Sequence, residues 1–411
     1  MLKSGAAFAR AFVKWLAVAA VTGLLGGAVG AAFYLSVAEA TELREGHPWL
    51  LYLLPVSGVL IAGLYRVTRM ERENTSAIIG SVRSGEGVPL ALVPVIFVST
   101  ALTHLCGGSA GREGAALQIG GGLGFACGRL FRLDEKELRM ATLCGMSALF
   151  SALFGTPLTA SVFALEVVSV GQIYYSGLVP CLASALTAYG VTGLCGIAPT
   201  RFAVPVVGLT ADMLWRVALL AVLCALVSIL FCVTMHQSER LLGKKVPNPF
   251  LRAALGGAAL IALTLLGGTR DYNGAGVDVI TRALERGEAA PEAFALKLLF
   301  TALTLSCGFR GGEVVPAFFI GSTFGCAAGP LLGLDPGFAA AVGLVGVFCG
   351  AVNCPLASII LSVELFGSGE ILYFAVACCV SYMLSGYTGL YSSQKIMYSK
   401  LRPEFIDINA K

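Results

Sequence analysis

Glu113 stands in the stretch Gly107-Gly-Ser-Ala-Gly-Arg-Glu-Gly114, between two runs, residues 87–111 and 115–128, that hold no Lys, Arg, Asp or Glu. A charge at the centre of a bilayer costs at least about 2.5–3.5 kcal/mol. A carboxyl placed there calls for water, an ion path or a buried partner. Ionised, it is a tethered anion; protonated, it is neutral. It can therefore compete with a small anion and carry a proton. A second such carboxyl, Glu313, lies in Gly308-Phe-Arg-Gly-Gly-Glu-Val-Val-Pro316. The glycines imply close backbone approach or sharp turns. Each turn precedes a stretch that can begin a helix, at Ala115 and at Pro316, and proline suits a first helical turn. Helix N-termini offer free N–H groups and partial positive charge to anions. Two of them aimed at one point would form a dehydrated anion site gated by Glu113. The alternatives are plain structural pairs, Arg112 with Glu113 and Arg310 with Glu313. Glu166 and Glu364 end uncharged helices and fit capping or pairing, with a proton role as the alternative. His104 fits a satisfied helix-end histidine.

Gly107-Gly-Ser-Ala-Gly111 also matches the nucleophile-elbow pattern, with His104 nearby. That elbow needs a strand–turn–helix setting and an acid to orient the base, and the surrounding apolar runs supply neither. No catalytic residue is assigned.

The elements that must position these groups are membrane helices. The 411 residues are 57% hydrophobic and 13% charged, against about 25% charged in soluble domains. Mean hydropathy is +0.83. The net charge of +4, without a basic tract, gives no sign of a nucleic-acid partner. Thirteen cysteines show no CxxC and no zinc spacing. Cys106, Cys127, Cys144, Cys224, Cys326, Cys349, Cys378 and Cys379 lie in apolar runs and read as small buried hydrophobes. Neither metal nor cofactor is expected.

Lys3, Arg10 and Lys14 precede an apolar run, Leu16–Val37, read as a retained first helix. Trp49–Tyr65 follows, then a basic cluster, Arg66, Arg69 and Arg72, which belongs on the cytoplasmic side. Val88–Cys106 precedes the Glu113 motif, and Arg129–Arg139 is expected to be an amphipathic connector. Met140–Leu165 and Val167–Pro199 are uncharged. Val217–Met235 is a clean span; His236–Arg252 is expected to be a basic loop and 270–292 a hydrophilic insert outside the bilayer. Ala317–Leu334, Phe338–Val363 and Ile371–Tyr387 complete the membrane region. Several segments fall short of the roughly 20 residues of a full span. Broken helices are tolerated only where protein or a water cavity covers their ends.

The chain repeats itself. Pro157…Glu166 resembles Pro355…Glu364, nine residues apart in both (166 − 157, 364 − 355), and Arg112…Ile119 resembles Arg310…Ile320. Interrupted helices at matching places point to a binding site at the repeat interface near the midplane. The expected division is residues 1–200, 201–390, and a tail or helix, 391–411, contributing Tyr391.

Gly111-Arg-Glu-Gly114 with Gln118-Ile-Gly120 resembles the gating-glutamate motif of the CLC chloride channels and transporters. Pro157…Glu166, Gly311-Gly-Glu-Val-Val-Pro316 and Tyr391 follow in that family's order. The resemblance implies an all-α polytopic fold of two inverted repeats with re-entrant helices, and a homodimer with one pore per subunit. The departures resemble the bacterial fluoride/proton antiporter branch. The usual Gly-Ser-Gly-Ile-Pro is absent, its place falling near Glu73-Asn-Thr-Ser76. Gly-x-Phe-x-Pro is replaced by Gly312-Glu-Val-Val-Pro316, and Val167 stands where exchangers often carry a second glutamate. By resemblance Glu113 is the gate and Glu313 a coupling partner. Asn74, Thr75, Gly111, Arg112, Gly114, Gly312, Val314, Val315 and Tyr391 surround the anion. Asn74 and Val315 stand where that branch often has Met and Thr. The expectation is proton-coupled fluoride export across a bacterial inner membrane; chloride transport by the same fold, or a non-transporting scaffold, is the alternative.

Overall fold

The computed structural model describes residues 2–411. The first half holds α1 (Leu2–Gly46), α2 (Leu54–Thr68), α3 (Thr75–Ser84), α4 (Leu92–Leu105), α5 (Glu113–Leu130), α6 (Glu135–Phe154), α7 (Pro157–Glu166) and α8 (Leu178–Leu194). The second holds α9 (Ala211–Lys245), α10 (Pro249–Gly267), α11 (Val277–Thr281), α12 (Ala293–Ser306), α13 (Val314–Ala328), α14 (Pro336–Val352), α15 (Pro355–Phe366) and α16 (Ile371–Leu384). Among the described residues, seven helical segments are long and apolar enough to cross a membrane.

The two sets correspond element by element. α4 and α12 both span 14 residues and start 201 positions apart (293 − 92). The N-caps of α6 and α14 are Asp134 and Asp335, again 201 apart, each accepting a bond from a first-turn N–H. α6 has 20 residues and α14 has 17, which shortens the offset by three. Pro157 and Pro355 are accordingly 198 apart. Thr156 and Cys354, which precede them, share one backbone conformation, φ −121° and ψ 74°.

Small residues set the packing. A Cβ on Gly120 or Gly124 would strike backbone carbonyls of α6, and one on Gly145 would strike the Gly120 carbonyl. Gly321, Gly325 and Gly343 repeat this between α13 and α14. Each helix pair therefore touches backbone to backbone.

α7 and α15 run antiparallel and cap each other. Glu166, at the end of α7, accepts bonds from Leu356 N at 3.2 Å and Ala357 N at 2.9 Å. Glu364, near the end of α15, accepts from Leu158 N at 3.0 Å and Thr159 N at 2.8 Å. This is the inverted relation between the repeats, and it makes both glutamates structural caps. Glu166→Ala is expected to cost about 1–3 kcal/mol, by leaving buried N–H groups unpaired. The melting temperature in detergent should fall while the ratio of protons to anions moved stays that of the wild type.

Several expectations need correction. Met140–Leu165 is two helices, broken where Gly155 takes φ +69° and Pro157 restarts the chain. His236–Lys245 continues α9 and is not a loop. The Arg129–Arg139 connector shrinks to residues 131–134 between α5 and α6. The 270–292 stretch holds α11 and is tied to the helices around it: Asn273 is buried and its Nδ2 donates to Gly107 O at 2.8 Å, while Lys297 Nζ donates to Gly274 O at 2.7 Å. Cys379 is exposed; the other seven cysteines read as buried are so.

The fold is not wholly helical, and the tail is not a helix. β1 (Ser169–Val170), β2 (Lys395–Tyr398) and β3 (Phe405–Asn409) form a small sheet, with β1 parallel to β2 and β2 antiparallel to β3. Gln394 anchors it, Nε2 donating to Val167 O at 3.0 Å and Val352 O at 2.8 Å. Lys400 Nζ donates to Asn353 Oδ1 at 2.6 Å and Tyr382 O at 2.7 Å. Its burial lowers its pKa to about 8. The tail thereby holds Tyr391 in the protein interior.

Candidate functional site

The two glycine turns meet. Gly111 N donates to Gly312 O at 2.7 Å and Gly312 N to Gly111 O at 2.8 Å, an isolated antiparallel bridge between the halves. Gly107 (φ +87°) and Gly308 (φ +101°) turn the chain after α4 and α12 in conformations that L side chains disfavour. A Cβ on Gly312 would lie 2.8 Å from Glu113 N, and one on Gly111 would lie 3.2 Å from Pro316 Cδ. α5 then starts at Glu113 and α13 at Val314, and no side chain caps either. Two helix N-termini thus point their first-turn N–H groups toward one small region.

Glu113 is fully buried. Its Oε2 accepts from Arg112 N at 2.9 Å, and its Oε1 has no hydrogen-bond partner. The nearest cation is Arg112 Nε at 4.0 Å. The Arg112 guanidinium instead lies over the Tyr34 ring, 4.1 Å from its centroid. The carboxyl is therefore not locked to its neighbour. It faces a cavity of about 810 Å³, lined among others by His104, Arg112, Phe154, Val315 and Phe318.

Glu313 occupies the other side of the bridge. Its Oε2 is buried without a partner. Arg310 does not pair with it: that guanidinium lies 3.9 Å from the Tyr65 ring centroid, and Nη1 donates to Glu73 O at 3.3 Å. Glu313 lines a second cavity of about 120 Å³, with Asn74, Thr75, Gln118, Arg310 and Tyr391. Tyr391 is buried and its hydroxyl has no partner.

The two cavities share no lining residue. The first is bounded by the end of α1 and by residues 270–280, the second by the start of α3 and the end of α9. Arg66, Arg69 and Arg72 follow α2, and Lys244 and Lys245 end α9. These basic residues flank the second cavity, whose lining includes Asn74 at the start of α3 and Glu239 near the end of α9.

The remaining expected site residues take several positions. Thr75 Oγ1 donates to Gly114 O at 3.4 Å, which ties α3 to the first turn of α5. Asn74 is exposed at the cavity rim and caps α3, its Oδ1 accepting from Ala77 N at 2.8 Å. Val314 and Val315 are buried in the first turn of α13. Gln118 was legible only as a motif landmark. It is buried, its Nε2 donates to Thr75 Oγ1 at 3.3 Å, and its Oε1 has no partner. The signal for it was that it is the one amide in the apolar run 115–128.

Ser109 is not a nucleophile. Its Oγ lies 3.1 Å from Thr301 Oγ1, and its backbone N donates to Thr304 Oγ1. His104 Nε2 is engaged by Gly111 O at 3.3 Å, as a helix-end histidine bracing the bridge.

Known proteins resemble this chain in sequence and in fold. A sequence model of the family described as voltage gated chloride channel matches residues 57–386. A "Chloride/fluoride channel protein" of Pseudomonas syringae pv. tomato is 36% identical over 94% of this chain and 87% of its own length. An "H(+)/Cl(-) exchange transporter ClcA" of Yersinia pestis is 26% identical over 92% of this chain and 86% of its own. The crystal structure of a CLC-type fluoride/proton antiporter superposes with a TM-score of 0.90 at 32% identity, covering 93% of this chain and 98% of that one. A slow cyanobacterial Cl−/H+ antiporter shares the fold, with a TM-score of 0.76 at 20% identity over 90% of this chain and 94% of that one. The paired helices, the bridged glycine turns and these matches together establish that the chain belongs to the voltage-gated chloride channel (CLC) family, as a multi-pass membrane transport protein and not an enzyme.

Proposed function

We propose that this protein exports fluoride in exchange for protons across a bacterial inner membrane. In this reading Glu113 is the gate. Protonated, it swings clear and admits an anion to the tips of α5 and α13; ionised, it takes the anion's place. Glu313 receives or returns the proton on the cytoplasmic side. Gly111, Arg112, Gly114, Gly312, Val314 and Val315 supply backbone and wall, the Tyr391 hydroxyl donates to the anion, and Asn74 and Thr75 line its cytoplasmic approach. The functional unit is a homodimer. Each chain is built of halves 1–200 and 201–390, with 391–411 as the clasp that carries Tyr391.

The observation that carries this reading is the Gly111–Gly312 bridge. On one side of it stands Glu113 Oε1, and on the other Glu313 Oε2, both buried and unpartnered. A buried oxygen without a partner costs roughly 1–3 kcal/mol or more, so each is poised for a proton, a water or an anion. Fluoride suits such a site. It is small, strongly hydrated and basic, so it needs strong donors and can share a proton with a carboxyl group. The relatives named for fluoride favour that halide over chloride.

The test is efflux from reconstituted vesicles loaded with fluoride or chloride in parallel. Faster fluoride efflux supports the reading. Preferred chloride efflux makes the protein a chloride transporter of this fold, and no efflux above protein-free vesicles makes it a scaffold. Tyr391→Phe removes one hydrogen bond to an anion, worth about 1.5–3 kcal/mol. Fluoride turnover should fall about tenfold or more, with the melting temperature unchanged.

A further inference from the structure

The second cavity is lined by several polar groups that have no protein partner. Glu313 Oε2, Gln118 Oε1 and Tyr391 Oη all lack protein partners and belong to residues that line it. At about 120 Å³ it has room for several waters, each of which occupies roughly 30 Å³ in the liquid. His236 and Glu239 complete its lining from α9. α9 has 35 residues, about 52 Å at 1.5 Å per residue, against a hydrocarbon core of about 30 Å. Its apolar span ends at Met235, so Glu239 stands one turn beyond, exposed to solvent.

A carboxylate at the mouth of an anion pathway repels the anion, and Arg310 deeper in the lining offsets that repulsion only in part. A proton role explains its presence. Resting on the reading of Glu313 as the coupling carboxylate, we propose that Glu239 is the cytoplasmic proton-exchange residue, joined to Glu313 by water held between Gln118 and Tyr391. On inward proton movement Glu313 gives its proton to a cavity water as another passes from the water chain to the Glu239 carboxylate. Glu239 then releases it to bulk solvent, and both groups end ionised. Only O–H bonds are made and broken.

The other charged or titratable groups facing this water are His236 on α9, Arg310 from the turn before α13, and Tyr391 from the tail. Neither α14 nor α16, both packed on α9, adds one to the lining. His236 Nε2 is engaged by Gly389 O at 3.0 Å, and Arg310 is stacked on Tyr65. Glu239 is the carboxylate left free to exchange. The sequence carries no second glutamate after Glu166, where Val167 stands, so this route does not duplicate another at that position.

The experiment records fluoride and proton fluxes together in vesicles bearing the full chain. In Glu239→Gln, coupled turnover should fall about tenfold or more, the lower range of general acid–base effects. Glu239→Asp, or a high concentration of MES buffer on both faces of the Gln variant, should restore much of the rate. A coupled wild type with an unchanged or faster Glu239→Gln overturns the inference, as does a slow Gln variant that neither Asp nor buffer rescues. A wild type that moves fluoride without protons instead overturns the antiport reading on which the inference rests.

Discussion

Glu113→Gln is expected to reduce fluoride-driven proton uptake about 100-fold or more, to the level of protein-free vesicles. The amide keeps the size of the carboxyl but takes up no proton at working pH, so the step that ties proton to anion disappears. The magnitude follows the 10²–10⁴-fold range for a positioned proton-transfer group. Structure should survive the change. Arg112 lies over Tyr34 and reaches Glu113 only at 4.0 Å, so it loses no close ion pair. A wild-type melting curve beside absent proton uptake is the expected pair of results. Simultaneous flux recording and thermal melting in detergent check it.

The largest expected structural effect comes from the glycine contact between α5 and α6. In Gly145→Val the new Cβ would enter the Gly120 carbonyl and lie 2.7 Å from Gly124 N. These are backbone atoms of a neighbouring helix, which cannot turn aside as a flexible side chain does. Overpacking usually costs about 1–3 kcal/mol, and contact with backbone places this case at or above the upper end. The helices must part or tilt, and tilting α5 moves its first turn away from Gly312. Transport and folded yield should fall together. Gly63→Ala is the control: its Cβ meets only Phe250 Cε1, at 3.7 Å. Yield after extraction and size exclusion separates the two variants.

Much of the repeat was legible because its markers are local. Pro157 and Pro355 at one spacing from Glu166 and Glu364 identify α7 and α15 as counterparts. What those glutamates do was not legible, since each bonds an N-terminus about 190 to 206 residues away in sequence. The break at Gly155–Pro157 was missed because no charge interrupts Met140–Leu165. There a left-handed glycine and an N1 proline were the only signs. The charges of His236–Lys245 suggested a loop, yet charged residues extend a helix readily once it has left the bilayer. The tail escaped because β2 pairs with Ser169 and Val170, far off in sequence.

At the site, the sequence marked Glu113, Glu313 and the glycine turns, since an intramembrane charge among glycines is rare. It left the pairing of Arg112 and Arg310 open. Both guanidinium groups stack on aromatic faces, Tyr34 and Tyr65, on helices that no spacing rule connects to them. That choice of partner is what leaves the two carboxyl groups without a close ion pair. Gln118 was overlooked for a related reason: its partner Thr75 lies on another helix.

The most direct measurement imposes a fluoride gradient on vesicles at equal pH, with membrane voltage clamped, and follows the pH inside. The proposed competition between Glu113 and fluoride predicts that protons move against their own gradient for as long as fluoride flows the opposite way. Fluoride flow with a flat pH trace would contradict it.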